Sequence, residues 1–187
     1  MNVIIFGPPG AGKGTQAQNI VKKFNLYQIS TGDLLRIEIK NQTPIGKNIE
    51  NTISKGDFAT DDIVNELIKN IVFDHSKKNR LIFDGYPRSL SQAKNLDNLL
   101  SSSNQKIDFI FFLNVSKEIV IKRIEKRKIL EKRTDDDLQT ILKRYDTYMD
   151  TTKPVLDYYS KNSNFYEIDG SVKIDEISSK IEQILTV

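Results

Sequence analysis

The sequence predicts an α/β fold in which a doubly wound, five-stranded parallel sheet carries helices on both faces. Five apolar runs alternate with segments whose apolar residues recur at helical spacing, an order typical of repeated strand–helix–strand units. The run at residues 109–113 is almost wholly apolar, as expected for a strand that is covered on both faces. The predicted strands lie at residues 3–6, 27–29, 81–84, 109–113 and 165–169.

A glycine-rich loop joins the first predicted strand to the first helix. Residues 7–15 read Gly-Pro-Pro-Gly-Ala-Gly-Lys-Gly-Thr, and apolar residues at helical spacing follow from Ala17 to Phe24. In this context the glycines let the backbone aim several N–H groups inward, while the helix dipole and Lys13 add positive charge. Gly14 stands where Ser or Thr is usual in phosphate loops. We interpret the loop as a nucleoside phosphate site and the sheet as one of the P-loop NTPase type.

Capping residues and breaks delimit the helices between the second and third strands. Residues 41–44, Asn-Gln-Thr-Pro, end one helix before another begins, and residues 55–57 form a turn. Residues 63–72 place apolar side chains at the spacing of an amphipathic helix. The three helices are predicted to begin at Ser30 or Thr31, at Ile45, and at Thr60 or Asp61.

Asp84 ends the third predicted strand, and residues 85–88, Gly-Tyr-Pro-Arg, turn the chain away from it. Open parallel sheets bind ligands at the carboxyl ends of their strands, where a carboxylate can hold the water shell of Mg²⁺. Ser89 begins the next predicted helix, which contains Gln92. The sequence therefore predicts that Asp84 lies at the ligand edge of the sheet.

The second half of the chain predicts three further helices. Arg123 and Arg127 lie four residues apart on the first of them, so they share one helix face. Residues 128–132 are predicted to form a short link, and the acidic run at 135–137 to start a long helix. Pro154 is expected to kink or split that helix. An amphipathic helix after the fifth strand closes the chain.

The composition is that of an ordinary soluble single domain, with 38% hydrophobic and 28% charged residues among 187. No apolar run approaches the length of a membrane span and no basic leader precedes the first strand, so we expect neither a membrane segment nor a signal peptide. The absence of cysteine excludes disulfides and fits a cytoplasmic protein. With a net charge of +3 and no basic block, nucleic-acid binding is not expected.

Arginine is the scarcer cation in this chain, with seven arginines against twenty-one lysines. The planar guanidinium grips phosphate in two places at once, which lysine cannot do. Four of the seven arginines fall within twenty-two residues, and this clustering favours phosphate binding over general solvation. The arginines are Arg36, Arg80, Arg88, Arg123, Arg127, Arg133 and Arg144.

Three motifs carry a resemblance to a known family. The loop at residues 7–15, the segment Ser-Thr-Gly-Asp-Leu-Leu-Arg at residues 30–36 and Asp-Gly-Tyr-Pro-Arg at residues 84–88 are similar to motifs of the adenylate kinases, which are nucleoside monophosphate kinases. The likeness runs from Met1 to Val187 and includes the Gly-Thr pair after Lys13. It implies Mg²⁺-dependent, reversible phosphoryl transfer from ATP to AMP, giving two ADP.

The resemblance also assigns residues to each substrate. Asp84 would order the water shell of Mg²⁺ without a direct protein–metal bond, and no zinc site is implied. The residues implied to bind ATP are Gly10, Ala11, Gly12, Lys13, Gly14, Thr15, Arg123, Arg127 and Val172. Those implied to bind AMP are Thr31, Arg36, Asp57, Phe58, Ala59, Gly85, Tyr86, Pro87, Arg88, Gln92, Arg133 and Arg144. Those implied to act in catalysis are Lys13, Asp84, Arg88, Arg123, Arg133 and Arg144.

Members of this family have a core and two mobile flaps, and the family is expected to be monomeric. The resemblance implies an AMP-binding flap at residues 30–59 and a lid over ATP at residues 126–136. The lid is short, because only five residues separate Arg127 from Arg133, and none of the five is glycine. The core would then comprise residues 1–29, 60–125 and 137–187.

Two alternatives remain at this point. UMP/CMP kinases share the scaffold and the short lid, but by resemblance they carry alanine where this chain has Thr31. Gln92 supplies an amide that would pair with adenine. A P-loop nucleotide switch without turnover is a second alternative, yet it would be expected to lack the arginines or Asp84, and all are present.

Overall fold

The computed structural model describes residues 1–55, 57–131 and 138–186, and the side chains within these ranges except those of residues 127–131 and 138. Five parallel strands form one sheet in the order β2-β3-β1-β4-β5, which confirms the predicted doubly wound α/β fold. The strands are β1 (Val3–Phe6), β2 (Tyr27–Ser30), β3 (Leu81–Asp84), β4 (Phe109–Asn114) and β5 (Phe165–Asp169).

Eight α-helices connect or flank these strands within the described ranges, and a 3₁₀ turn at His75–Lys77 precedes β3. In the same ranges, no helix combines the length and apolar character that a membrane crossing requires. The helices are α1 (Lys13–Phe24), α2 (Thr31–Lys40), α3 (Pro44–Ser54), α4 (Asp61–Val72), α5 (Leu90–Ser102), α6 (Lys117–Glu131), α7 (Leu138–Tyr159) and α8 (Ile174–Leu185).

Alternate side chains of each central strand enter two separate hydrophobic clusters, one on each face of the sheet. In β1, Ile4 and Phe6 pack on the face covered by α4, α5 and the end of α7. Val3 and Ile5 pack on the opposite face with α1, α6 and α8. Side chains alternate between the faces of a strand, so a strand covered on both sides must be apolar throughout. This arrangement explains the uninterrupted apolar runs in the sequence.

The register of the sheet brings three chain segments to one edge. Asp84 pairs with Ser30 of β2 and with Ile5 of β1, so β1, β2 and β3 end at nearly the same level. The glycine-rich loop leaves β1 there, α2 leaves β2, and the turn at Gly85 leaves β3. The three motifs, which are far apart in sequence, therefore meet at the carboxyl edge of the sheet, as expected for a parallel sheet.

The prediction of a link at residues 128–132 is wrong for residues 128–131, because α6 continues as a helix to Glu131. These four residues, Lys-Ile-Leu-Glu, include neither glycine nor proline, and all have adequate helix propensity. Nothing in the local sequence stops the helix that carries Arg123. Lys132 and the acidic run at 135–137 lie outside the described residues.

Pro154 does not split α7, which runs as one helix from Leu138 to Tyr159. Tyr148 lies before the proline, and Val155 and Tyr159 after it, and all three side chains are buried. Tertiary packing of a helix commonly outweighs its local propensity, so burial on both sides holds the two halves in one helix.

Helices α2 and α3 approach each other so closely at Gly46 that no side chain fits. A Cβ at this position would stand 2.0 Å from the carbonyl oxygen of Glu38 and 2.7 Å from the backbone nitrogen of Ile39. We expect Gly46→Ala to lower the free energy of unfolding by about 1–3 kcal/mol, because the clash involves backbone rather than a movable side chain. Urea unfolding measures the change.

Lys47→Ala is the matched control, because Lys47 is the next residue of α3 and is exposed. Its free energy of unfolding should stay within about 0.5 kcal/mol of the parent value. Equal free energies of unfolding for the two variants would show that α2 and α3 can move apart at residue 46 without loss of stability.

Candidate active site

The glycine-rich loop adopts a conformation that few other residues could take. Gly10 and Gly12 have φ angles of 78° and 96°. A Cβ on Gly10 would also stand 2.7 Å from Cγ1 of Ile124, so the loop lies directly against α6. Gly12 precedes α1, and no described side chain caps this helix start. The loop and the helix dipole thus leave an anion site at the carboxyl end of β1.

Lys13 folds over the loop that it follows. Its Nζ donates to the carbonyl oxygens of Gly7 at 2.8 Å and Pro8 at 3.0 Å. These bonds hold the ammonium group at the loop, on the same side as Asp84, where its charge opposes the larger effect of burial, which raises the pKa of that carboxyl group. The positive charge that was predicted for the loop is therefore held at the carboxyl edge of the sheet.

Asp84 lies beneath the start of α1. It is buried, and its Oδ2 accepts a hydrogen bond from Nε2 of Gln28 at 3.1 Å. Burial raises the pKa of this carboxyl group, while Lys13 and Arg88 act in the opposite direction. A Cβ on Gly14 would stand 3.6 Å from the same oxygen, so the small residue leaves room between carboxylate and loop. Carboxylate oxygen next to a phosphate loop suits Mg²⁺, which keeps most of its waters.

Three guanidinium groups converge beside this edge. The pKa of Arg88 is lowered to about 10, mainly by burial and next by the positive charge of Arg144; Asp84 raises it and Arg36 lowers it to smaller extents. Arg88 remains protonated at neutral pH. Cations that are held close enough to repel one another indicate a site for a multiply charged anion. The cluster joins residues from α2, α7 and the turn after β3.

Arg88 is fixed from several sides. Its Nε donates to the carbonyl oxygen of Gly85 at 2.7 Å, and its guanidinium lies over the ring of Phe58 with 4.4 Å to the ring centroid. The same carbonyl accepts from Oγ1 of Thr31 at 2.8 Å. On the α7 side, the hydroxyl of Thr152 donates to the carbonyl oxygen of Arg88 at 3.2 Å. The position of Arg88 is therefore set before any ligand arrives, which is the requirement for electrostatic preorganisation.

Gln92 lies one helical turn beyond Ser89, which caps α5 through its side chain. The Gln92 amide is buried, and its Oε1 accepts from the backbone N–H of Arg88 at 2.8 Å. Its Nε2 donates to Oδ1 of Asp61 at 2.7 Å. Gln92 thus connects α4, α5 and the turn that carries Arg88.

Arg123 and Val172 lie on the other side of the loop, towards β5. Arg123 donates to the carbonyl oxygen of Ala11 at 3.3 Å and to that of Ser171 at 3.5 Å. Val172, the next residue, is an exposed apolar side chain. These contacts bring Arg123 to the predicted ATP loop, while Thr15 is exposed at the start of α1.

The structure describes the positions of most of the remaining predicted residues. Arg36 donates to Asp33 at 2.5 Å and lies over Gly32. Asp57 forms an exposed ion pair with Lys143 of α7 at 2.7 Å. Ala59, Tyr86 and Pro87 are buried, and the last two belong to the turn that carries Arg88. Arg133 and the side chain of Arg127 lie outside the described residues.

Sequence reasoning named Asp57 and Phe58 among the AMP-binding residues but missed three side-chain contacts at this site. The Phe58 ring under Arg88, the carboxylate of Asp61 and the Lys143–Asp57 pair all arise from tertiary contacts. No local pattern marks them, because a phenylalanine after a turn or an aspartate in a first helical turn has an ordinary structural explanation.

Comparison of the sequence with known proteins identifies its family. Residues 5–164 match the family model described as adenylate kinase. The chain belongs to the adenylate kinase family. It is an enzyme of that family, which transfers a phosphoryl group between ATP and AMP, and the pyrimidine alternative is not favoured.

Curated relatives agree over their full lengths. An adenylate kinase of Pelagibacter ubique is 50% identical over 213 aligned positions that cover all of both chains. One of Thermosipho africanus is 32% identical over 99% of each chain. One of Flavobacterium psychrophilum is 36% identical over 99% of this chain and 98% of its own. The first alignment has more positions than this chain has residues, so that relative contains residues with no counterpart here.

Proposed function

We propose that the chain catalyses reversible, Mg²⁺-dependent transfer of the γ-phosphoryl group of ATP to the phosphate of AMP, giving two ADP. The observation that carries the proposal is the placement of Arg88, which is bonded to the carbonyl oxygen of Gly85 directly after Asp84 and lies within reach of the charges of Arg36 and Arg144. Such a site can hold two phosphate-bearing substrates next to each other, which is what direct transfer requires.

In this proposal the donor lies in the loop. The N–H groups of residues 10–15 and the ammonium group of Lys13 hold the ATP phosphates, with Arg123 and Arg127 approaching from α6. Val172 offers an apolar surface next to the Arg123 contact, where the base of ATP would lie. Bound Mg²⁺ would neutralise charge on the ATP oxygens. Asp84 would hold its water shell.

The acceptor lies between the turn after β3 and the flap at residues 30–59. Arg36, Arg88 and Arg144 hold the AMP phosphate, and Thr31 and Gln92 meet its base. Residues 57–59 and 85–87 line the remainder through main chain. The AMP phosphate is already a nucleophile, so no side chain needs to act as a base.

Closure of the flap and of the lid at residues 126–136 would exclude water, whose attack would hydrolyse ATP. Arg133 would enter with the lid and bridge the two nucleotides. We also propose a cytoplasmic monomer that acts on free nucleotides and binds no nucleic acid. The absence of cysteine and the modest charge support this part of the proposal.

The test is the initial rate with Mg-ATP and each of AMP, CMP, UMP and GMP as acceptor. We expect AMP to be strongly preferred and two ADP to form per turnover, because Gln92 presents an amide of the kind that pairs with adenine. Replacing Mg²⁺ by a chelator should abolish most of the rate. Comparable rates with CMP or UMP would indicate a UMP/CMP kinase. Nucleotide binding without ADP formation would indicate a P-loop nucleotide switch.

A further inference from the structure

The first turn of α4 and the first turn of α5 are joined by one carboxylate. Asp61 Oδ2 accepts from the hydroxyl of Ser89 at 2.8 Å, and its Oδ1 accepts from Nε2 of Gln92 at 2.7 Å. Both carboxylate oxygens are therefore occupied by α5. None of the predicted roles at the site uses Asp61.

The Gln92 amide is held at both of its polar atoms by groups of opposite character. The backbone N–H of Arg88 can only donate, and it donates to Oε1 at 2.8 Å. The ionised carboxylate of Asp61 can only accept, and it accepts from Nε2. Rotating the amide by 180° would place its NH₂ group against the backbone N–H of Arg88 and its oxygen against the carboxylate of Asp61. The order of donor and acceptor on Gln92 is therefore fixed.

Each polar atom of the amide keeps one further hydrogen-bonding position, one lone pair on Oε1 and one hydrogen on Nε2. A glutamine can pair in two places with adenine, whose exocyclic amine donates beside a ring nitrogen that accepts. On the edge that carries N1, a 6-oxopurine has a carbonyl in place of the amine and a protonated N1 beside it. Its order of donor and acceptor is reversed, so it matches only the rotated amide.

We propose that Asp61 is a positioning residue that makes the acceptor site selective for a 6-aminopurine over a 6-oxopurine monophosphate. It acts by holding the Gln92 amide in the orientation that adenine requires. This inference rests on the proposed function, in which Gln92 meets the acceptor base. The carboxylate itself touches neither substrate.

The test compares AMP with inosine monophosphate, whose base differs from adenine in the 6-oxo group and the protonated ring nitrogen. In Asp61→Asn the amide of the new side chain can donate as well as accept, so the Gln92 orientation loses one of its two restraints. We expect the ratio of kcat/KM for AMP to that for inosine monophosphate to fall about tenfold. Most of the change should lie in the KM for AMP, with the KM for ATP within about twofold of the parent value.

Asp62→Asn is the matched control, because Asp62 is the adjacent residue of α4 and is exposed. It makes the same change of charge and should leave the ratio unaltered. Asp61→Ala removes both carboxylate oxygens and should also lower the ratio of kcat/KM for AMP to that for inosine monophosphate. The test therefore does not depend on one variant. Urea unfolding of each variant reports any loss of the α4–α5 connection.

An AMP preference that stays at the parent value in both Asp61 variants, with reduced stability, would overturn the inference and leave Asp61 a purely structural link. A parent enzyme that turns over both monophosphates equally would overturn the assignment of Gln92 to the base, and the inference with it. The parent measurement alone tells these two results apart.

Discussion

Replacing Arg88 by alanine is expected to cut kcat about a hundredfold or more. Arg88 is the centre of the guanidinium cluster, and its Nε bond to Gly85 and its stacking on Phe58 hold it in place. A preorganised group that stabilises charge in the transition state contributes about 3–4 kcal/mol. The steady-state rate of ADP formation at saturating ATP and AMP measures the loss.

Arg80→Ala is the control for this experiment. Arg80 immediately precedes β3, at the end of the strand opposite Asp84, and binds the backbone and side-chain oxygens of Asn25. The Arg80→Ala substitution also removes a guanidinium group, but at a position away from the site. The kcat should therefore stay within about twofold of the parent value, as for a surface substitution. A near-normal kcat in a folded Arg88→Ala protein would exclude Arg88 from the stabilisation of the transferring group.

Helix starts were predictable where a side-chain oxygen caps the backbone. The hydroxyls of Ser30 and Ser89 each accept from a backbone N–H in the first turn, and such caps leave a signature in the sequence. Thr43 caps α3 in the same way, but the sequence predicted it to lie in the break before this helix and predicted the helix start at Ile45 instead of Pro44. Helix ends were less predictable. Helix α6 extends to Glu131 because no local residue stops it. Helix α7 continues through Pro154 because side chains on both sides of the proline are buried in the core.

The candidate site shows the same division. The glycines around Lys13 lie in one short segment between a predicted strand and a predicted helix, so the local sequence predicted a phosphate loop, and the scarcity of arginine predicted arginines as the phosphate-binding cations. The sheet register that brings Asp84 level with Ser30 is set by long-range pairing. The contacts of Arg88 with Phe58, and of Gln92 with Asp61, also join distant segments, so one sequence could not display them.

Replacing Lys13 by alanine is expected to lower kcat about a hundredfold to a thousandfold. The ammonium group already bonds two carbonyl oxygens of the loop, Gly7 and Pro8, so its position is fixed before ATP binds. In the proposed function this charge stabilises negative charge on the transferring group, and a preorganised donor in such a position has an effect of about this size. ADP formation at saturating substrates gives kcat, and titration with ATP gives the donor KM.

Lys22→Ala is the matched control on the same helix, because Lys22 lies exposed in the last turn of α1, far from the loop. Lys13→Arg distinguishes charge from geometry. A guanidinium is larger and planar, so it cannot reproduce an ammonium that bonds two carbonyls of one tight loop. We therefore expect Lys13→Arg to recover less than about a tenth of the parent kcat, since misplacement alone can cost about a hundredfold. Full recovery by arginine would mean that positive charge near the loop suffices and that the compact fit against Gly7 and Pro8 has no catalytic role.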